Sequence, residues 1–378
     1  MLLRTILFTS VLAAFSACTT LRVDRILASS PGDWTTEGGS VSRANVSTGK
    51  IKPPLKEVWQ YNAQAGIRAV PLVSDSTVIV ATLNGEIQAV NLSNGKRIGY
   101  KAFESAVVGT PVLDGSSVIL ATAGKAETIV SYNLQRGRQN WAFHAGPVES
   151  SPLLYGGHVY VATVGGDVYC LQKETGEEVW KFEGEEKDRR KGFRSSPSTD
   201  GKLILFGSDS GTLYALNRTN GDIAWTLATG ASIFASPVVS SHTVIVGNLK
   251  GILFAVDSER GTIRWTYDVG SPVYAAVAVD EALIYCSAAN GTVYAIDSSG
   301  DLKWKFPTKA ILNSAPLVSG DFLFVGSMDR VLYTLDRSSG KEVWRFQSEG
   351  RIRVSPVAWG DFLLVTSEDK FVTMLGPS

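Results

Sequence analysis

Six tryptophans stand four residues after a glycine: Gly137/Trp141, Gly176/Trp180, Gly221/Trp225, Gly261/Trp265, Gly300/Trp304 and Gly340/Trp344. An indole repeated at fixed spacing could sandwich a planar cofactor. The Asp or Asn shortly before most of these glycines could offer oxygens to a hard cation. Other reactive groups are sparse. His144, His158 and His242 lie far apart, without the short spacing that holds zinc. Cys170 and Cys286 are 116 residues apart, each inside an apolar run ("DVYCLQ", "ALIYCSA"). They read as two buried thiols, not a redox pair. Arg68 and Arg353 hold equivalent places before a proline, and Arg194 sits in a highly charged stretch. Three guanidiniums on one face could receive an anion or pair with neighbouring carboxylates. No nucleophile stands with a base, so no catalytic residue and no metal site is assigned.

The elements that must position these residues repeat. Gly95 opens a further copy, "NLSNGKRIGY", in which Gly99 stands where the tryptophan should be, and the glycines are 42, 39, 45, 40, 39 and 40 residues apart. A second marker runs in phase: Val70-Pro71, Thr110-Pro111, Ser151-Pro152, Ser196-Pro197, Ser236-Pro237, Ala315-Pro316 and Ser355-Pro356, with Ala276-Val277 in the missing slot. After each marker comes an apolar, β-branched run such as "TVIVAT" or "FLFVGS", which suits a buried strand. A tight turn such as "LNGE" or "ANGT" follows, then a strand ending "YALN" or "YTLD", then the tryptophan strand. Asp209, Asp257, Asp297 and Asp336 fall in turn slots, where capping accounts for them. Four short antiparallel strands in about 40 residues make a propeller blade.

Closure sets the blade count. The last unit supplies three strands, and "EVWQY", residues 57–61 with Trp59, is an orphan fourth. Pairing them removes the open edges and predicts an all-β, eight-bladed propeller over residues 57–378. The seven tryptophans, Trp59, Trp141, Trp180, Trp225, Trp265, Trp304 and Trp344, are expected to staple the ring. A motif spread evenly around a ring cannot form one focused site.

Two stretches interrupt the pattern. Residues 183–194, "EGEEKDRRKGFR", carry four acids and five bases and read as a solvated loop between blades 3 and 4. At the start, Arg4 precedes an apolar run, Ile6 to Ala17, that is too short to span a bilayer. Residues 1–17 are expected to be a signal peptide. Ser16-Ala17-Cys18 resembles the end of a bacterial lipobox, with Cys18 the lipidated residue and Thr19 directing the chain to the outer membrane. Residues 18–56 are expected to be a lipidated tether, although "DWTTEGGSVSRAN" is less random than a linker. Lys+Arg and Asp+Glu are equal at 36 each, which argues against nucleic acid as a partner.

The element Ala-x-Asp-x-x-x-Gly-x-x-x-Trp, as in "FAVDSERGTIRW", resembles the tryptophan-docking repeat of the PQQ-type propellers over nearly the whole mature chain. Among these, a lipoprotein with eight blades and nothing else is most similar to the BamB family of outer-membrane assembly factors. That resemblance implies a non-catalytic scaffold on the periplasmic face of the outer membrane, held there by its lipid. It implies contact with BamA through the loop entering blade 4, where Arg194 matches the family arginine and Phe193 takes an apolar position. Lys191 departs from the family pattern, as do Ser232 and Phe234, which stand where relatives carry acids. No cofactor is expected. The alternatives are a quinoprotein dehydrogenase, which shares the blade count, and an anchored propeller that binds another envelope protein or ligand.

Overall fold

The computed structural model describes residues 21–23 and 32–378. The expected leader and Cys18 lie outside the described residues. Eight antiparallel sheets follow one another along the chain, seven of four strands and one of five. The protein is an eight-bladed, all-β propeller. Blade 1 shows the common plan, with strands Leu72–Ser74, Thr77–Ala81, Glu86–Asn91 and Arg97–Ala102 running from axis to rim. The second strand is buried throughout. Outer strands are half-buried; in Glu342–Gln347 partly buried and exposed residues alternate, as expected where one face packs and the other meets water.

The ring closes by pairing its two ends. Leu55–Asn62 runs antiparallel to Phe371–Pro377, with Trp59 opposite Met374. In each of the eight blades a bulge interrupts the outer pair just before the tryptophan position. A bulge re-aims the side chain that follows it, and here it turns the indole toward the next blade. Trp180 Nε1 donates to the Arg218 carbonyl at 3.0 Å, and Trp225 Nε1 to that of Ser258 at 2.8 Å. Trp59, Trp141, Trp265 and Trp304 make the same bond to Leu92, Lys173, Ser298 and Arg337. Each of these six rings lies over the repeat glycine of the next blade, so close that a methyl on Gly340 would sit 2.5 Å from Trp304. Trp344 stacks beside Phe346 at 6.4 Å against the core of the closing blade. Burying roughly 150–250 Å² per aromatic at about 25 cal/mol/Å² makes each indole worth a few kcal/mol.

Residues 32–56 do not form the expected tether. They run around the axis and bond to blade after blade. Trp34 bridges Val73 in blade 1, and Thr35 accepts from Leu113 in blade 2. Val41, Ser42, Ala44 and Asn45 accept from Thr199, Val239, Val279 and Val318 in blades 4 to 7. Val46–Ser47 then adds a parallel strand to blade 7. The innermost strand of each blade is an open edge facing the channel, and this segment supplies the missing backbone partner in blades 1, 2 and 4 to 7. Arg43, 1% exposed, fixes the crossing. It donates to the carbonyls of Pro197 (2.7 Å) and Ser151 (3.3 Å) and pairs with Glu37 at 2.7 Å. Burial pulls its pKa below the ordinary arginine value, against the opposing pull of Glu37. The paired glycines have a packing reason. Gly38, at φ +73°, lies against the Arg43 backbone, and Gly39, at φ +72°, lies against the Trp34 ring.

Candidate protein-docking face

The loop entering each blade ends at the small residue and proline that begin the inner strand. Counting three residues back from the proline, or from Val277, gives Arg68, Val108, Glu149, Arg194, Phe234, Tyr274, Asn313 and Arg353. The structure gathers these eight positions around one mouth of the axial channel, where they line two adjoining cavities of about 200 and 500 Å³. Glu37, Gly38, Arg43 and Asn45 line the first cavity from the axial side. The sequence singled out three of the eight. Glu149, Phe234, Tyr274 and Asn313 were legible by the same spacing to the proline.

Two of the three arginines are committed. Arg194 pairs with Asp209 and, at 3.1 Å, with Glu149, and its guanidinium lies 6.0 Å from the Phe234 ring centre. Burial pulls the Arg194 pKa down, but the two carboxylates outweigh it and hold the group above its ordinary value. Asp209 is raised in turn because burial outweighs its arginine partner. Arg353 pairs with Glu368 at 2.7 Å. Arg68 is exposed and, among the described residues, has no ion pair or hydrogen bond. Beside it stand Tyr274 and Ile311, 40% and 47% exposed. The mouth therefore offers one free guanidinium and exposed aromatic and aliphatic surface.

Three expectations need correction. Phe193 is fully buried, packed edge-on against Phe206 at 5.0 Å and near Tyr214 at 6.0 Å. It belongs to the core between blades 3 and 4 and does not reach a docking surface. The stretch 183–194 is not merely a solvated loop. It carries a short helix, Glu186–Arg189, and buries Asp188, which accepts hydrogen bonds from Tyr214 Oη at 2.6 Å and from Ser210. Burial and this carboxylate push the Tyr214 phenol pKa up. Asp209 does not cap its turn as Asp257, Asp297 and Asp336 do. It reaches Arg194 from the neighbouring hairpin instead. An acid partner for the arginine is thus present, although residues 228–236 supply none. Phe234 and Ser232 stay in the same loop, with Ser232 Oγ donating to the Asp209 carbonyl at 2.7 Å.

Cys170 and Cys286 are buried free thiols, and burial raises both to about 12. Among the described residues, no three His, Cys, Asp or Glu side chains form a group that could hold a metal ion.

The model of the family described as outer membrane protein assembly factor BamB matches residues 37–154, 211–314 and 290–376. The chain belongs to the BamB family. BamB of Shewanella oneidensis is 26% identical over 205 residues, 50% of this chain and 49% of that protein. The chain therefore spans about half the length of this relative. The crystal structure of BamB from Moraxella catarrhalis superposes with a TM-score of 0.72 at 20% identity, over 86% of this chain and 100% of that one. The quinohemoprotein alcohol dehydrogenase ADHIIG of Pseudomonas putida HK5 superposes with a TM-score of 0.80 at 14% identity, over 95% of this chain and 83% of that one. At such identities the two superpositions speak for the fold alone.

Proposed function

We infer that this BamB-family propeller is a non-catalytic scaffold of outer-membrane protein assembly. It is anchored at the periplasmic face of the outer membrane through a lipid on Cys18 and docks a BamA-like partner on the channel mouth. One observation carries the reading: the eight blade-entry positions converge on this mouth, where Arg194 is pre-oriented by Glu149 and Asp209 beside Phe234. A guanidinium held by carboxylates against an aromatic ring loses little freedom on binding and suits an interface hot spot. Phe193 acts from beneath, by holding the Arg194 backbone against the core.

The dehydrogenase reading fits less well. Quinone chemistry on this fold requires a planar cofactor and a Ca²⁺ with six to eight oxygen ligands in the channel. Here the cavity beside residues 37–45 holds only about 200 Å³, and arginines face it from several sides.

Purification of the native lipoprotein from solubilised outer membranes tests the docking reading. BamA should co-purify with the wild type and fall several-fold with Arg194→Ala. Recovery of a different complex without BamA would refute the assembly role. Intact mass of the same preparation reads the lipid on Cys18. A thermal shift on adding the quinone with Ca²⁺ would revive the enzyme reading.

A further inference from the structure

Blade 1 lacks its tryptophan, and the structure fills the slot in another way. Gly99 lies opposite Ala89 just as Trp225 lies opposite Ala215, so it occupies the indole position. The carbonyl that should accept an indole N–H from it is Leu134, which follows Asn133 as Arg218 follows Asn217. That carbonyl is taken by the Val23 backbone N–H at 2.8 Å. Leu21 is fully buried, its Cδ1 only 3.5 Å from where a Cβ of Gly99 would stand, and Tyr132 Oη donates to the Leu21 carbonyl at 3.1 Å. The segment 21–23 therefore does the work of the missing staple. Cys18 is three residues ahead in sequence, a length of chain that reaches at most roughly 11 Å.

The same rim is basic. Lys96, Arg97 and Lys101 on blade 1 and Arg136 and Arg138 on blade 2 lie in stretches, residues 92–103 and 134–148, that contain no acid; the carboxylate across blade 1 is Glu86, opposite Ala102, which with Arg97 acts on Tyr61. None of the five has an ion pair among the described residues. Asp114 and Glu174, which share a groove with Arg136 and Arg138, are both committed to Lys173. Ile98, 43% exposed, adds apolar surface between the bases. Most bases on the other outer strands are neutralised: Lys181 pairs with Asp167 and Glu183, Arg264 with Asp257, Lys303 with Asp297, and Arg345 with Glu342, while Lys56 and Lys305 stand singly among the described residues.

We propose that the rim of blades 1 and 2 is the membrane-facing edge of the ring and binds anionic phospholipid headgroups. The docked Leu21–Val23 segment fixes that edge toward the bilayer. Uncompensated bases next to an anchor point match a negative lipid surface, each adding about five-fold in affinity. The ring then stands on its rim, with the channel mouth turned to the side and open to a partner. The orientation rests on the lipid-anchor reading; the lipid affinity of the rim does not.

The test is lysine acetylation footprinting, read by mass spectrometry, of the full chain on mixed phosphatidylcholine–phosphatidylglycerol vesicles and on pure phosphatidylcholine. Lys96 and Lys101 should be protected several-fold on the mixed vesicles only, while Lys303 and Lys341 stay reactive. Co-sedimentation of a Cys18→Ser chain measures the rim without any lipid. Arg97→Glu/Lys101→Glu/Arg138→Glu should weaken that binding about a hundredfold, and Arg264→Glu/Arg345→Glu should leave it unchanged. Binding lost equally in both variants, or equal on pure phosphatidylcholine, overturns the proposal. So does competition by an acidic protein but not by phosphatidylglycerol. Leu21→Ser should weaken the Lys96/Lys101 footprint of the anchored chain, and an unchanged footprint would overturn the clamp. If intact mass shows no lipid on Cys18, the anchor reading fails while the co-sedimentation result still judges the rim.

Discussion

The close contact between each repeat glycine and the preceding blade's indole makes a sharp prediction at Gly261. This residue has φ +68°, and a methyl there would stand 2.6 Å from Trp225 Cδ2 and 2.7 Å from Cε3. A left-handed backbone costs a non-glycine residue about 1–2 kcal/mol. Forcing a methyl into a packed ring adds about 1–3 kcal/mol. Gly261→Ala should therefore lose about 2–5 kcal/mol. Gly270 is the internal control: in the loop just after that blade's outer strand, it has φ +71° but nothing within 4 Å of its added Cβ. Gly270→Ala should pay only the backbone cost, about 1–2 kcal/mol. Urea unfolding followed by far-UV circular dichroism reads both. Trp225→Ala alone should cost about 3–5 kcal/mol, and in that background Gly261→Ala should fall to the cost of Gly270→Ala. Equal losses for the two glycines, or a double-mutant cycle without coupling, would refute the idea that the glycine is small in order to receive the indole.

Three further outcomes follow from the packing. Asp188→Ala leaves the Tyr214 hydroxyl unpaired at a cost of about 1–3 kcal/mol. Amide exchange over residues 183–194 should quicken, and unchanged exchange would show that Asp188 does not hold the loop. Arg43→Ala removes the bonds to Ser151, Pro197 and Glu37. Limited proteolysis should then cut within residues 32–56 well before the ring unfolds; cleavage at the wild-type rate would count against Arg43 as the pin. Asp336 accepts bonds from Ser338 and Ser339, which hold its carboxyl at about 2, below the ordinary aspartate value of 3.8. Because the folded value is the lower one, this stabilisation is complete well above 3.8 and fades as pH falls toward about 2. The melting temperature should drop less steeply over that window in Asp336→Asn, and parallel curves would contradict the assignment.

The ring itself was legible in the sequence. Strand period, turn residues and the glycine–tryptophan spacing are local, and each recurs often enough to count blades and to pair "EVWQY" with the chain's last strand. Even the ring of mouth residues was readable, since seven stand three residues before a proline and Tyr274 stands three before Val277 in the same slot. Tertiary structure decided what depends on neighbours far apart in sequence. Phe193 and Arg194 are adjacent in the chain, yet one is buried among Phe206 and Tyr214 while the other faces the mouth; a loop has no period to reveal which side chain turns inward. Residues 32–56 look like a polar tether because their partners are open strand edges in other blades, which composition cannot display. Gly99 marked a missing tryptophan, but only the closed ring could show that Leu21 and Val23 take its place. A closed ring brings an N-terminal segment against blades it does not adjoin in sequence, and such contacts leave no local trace.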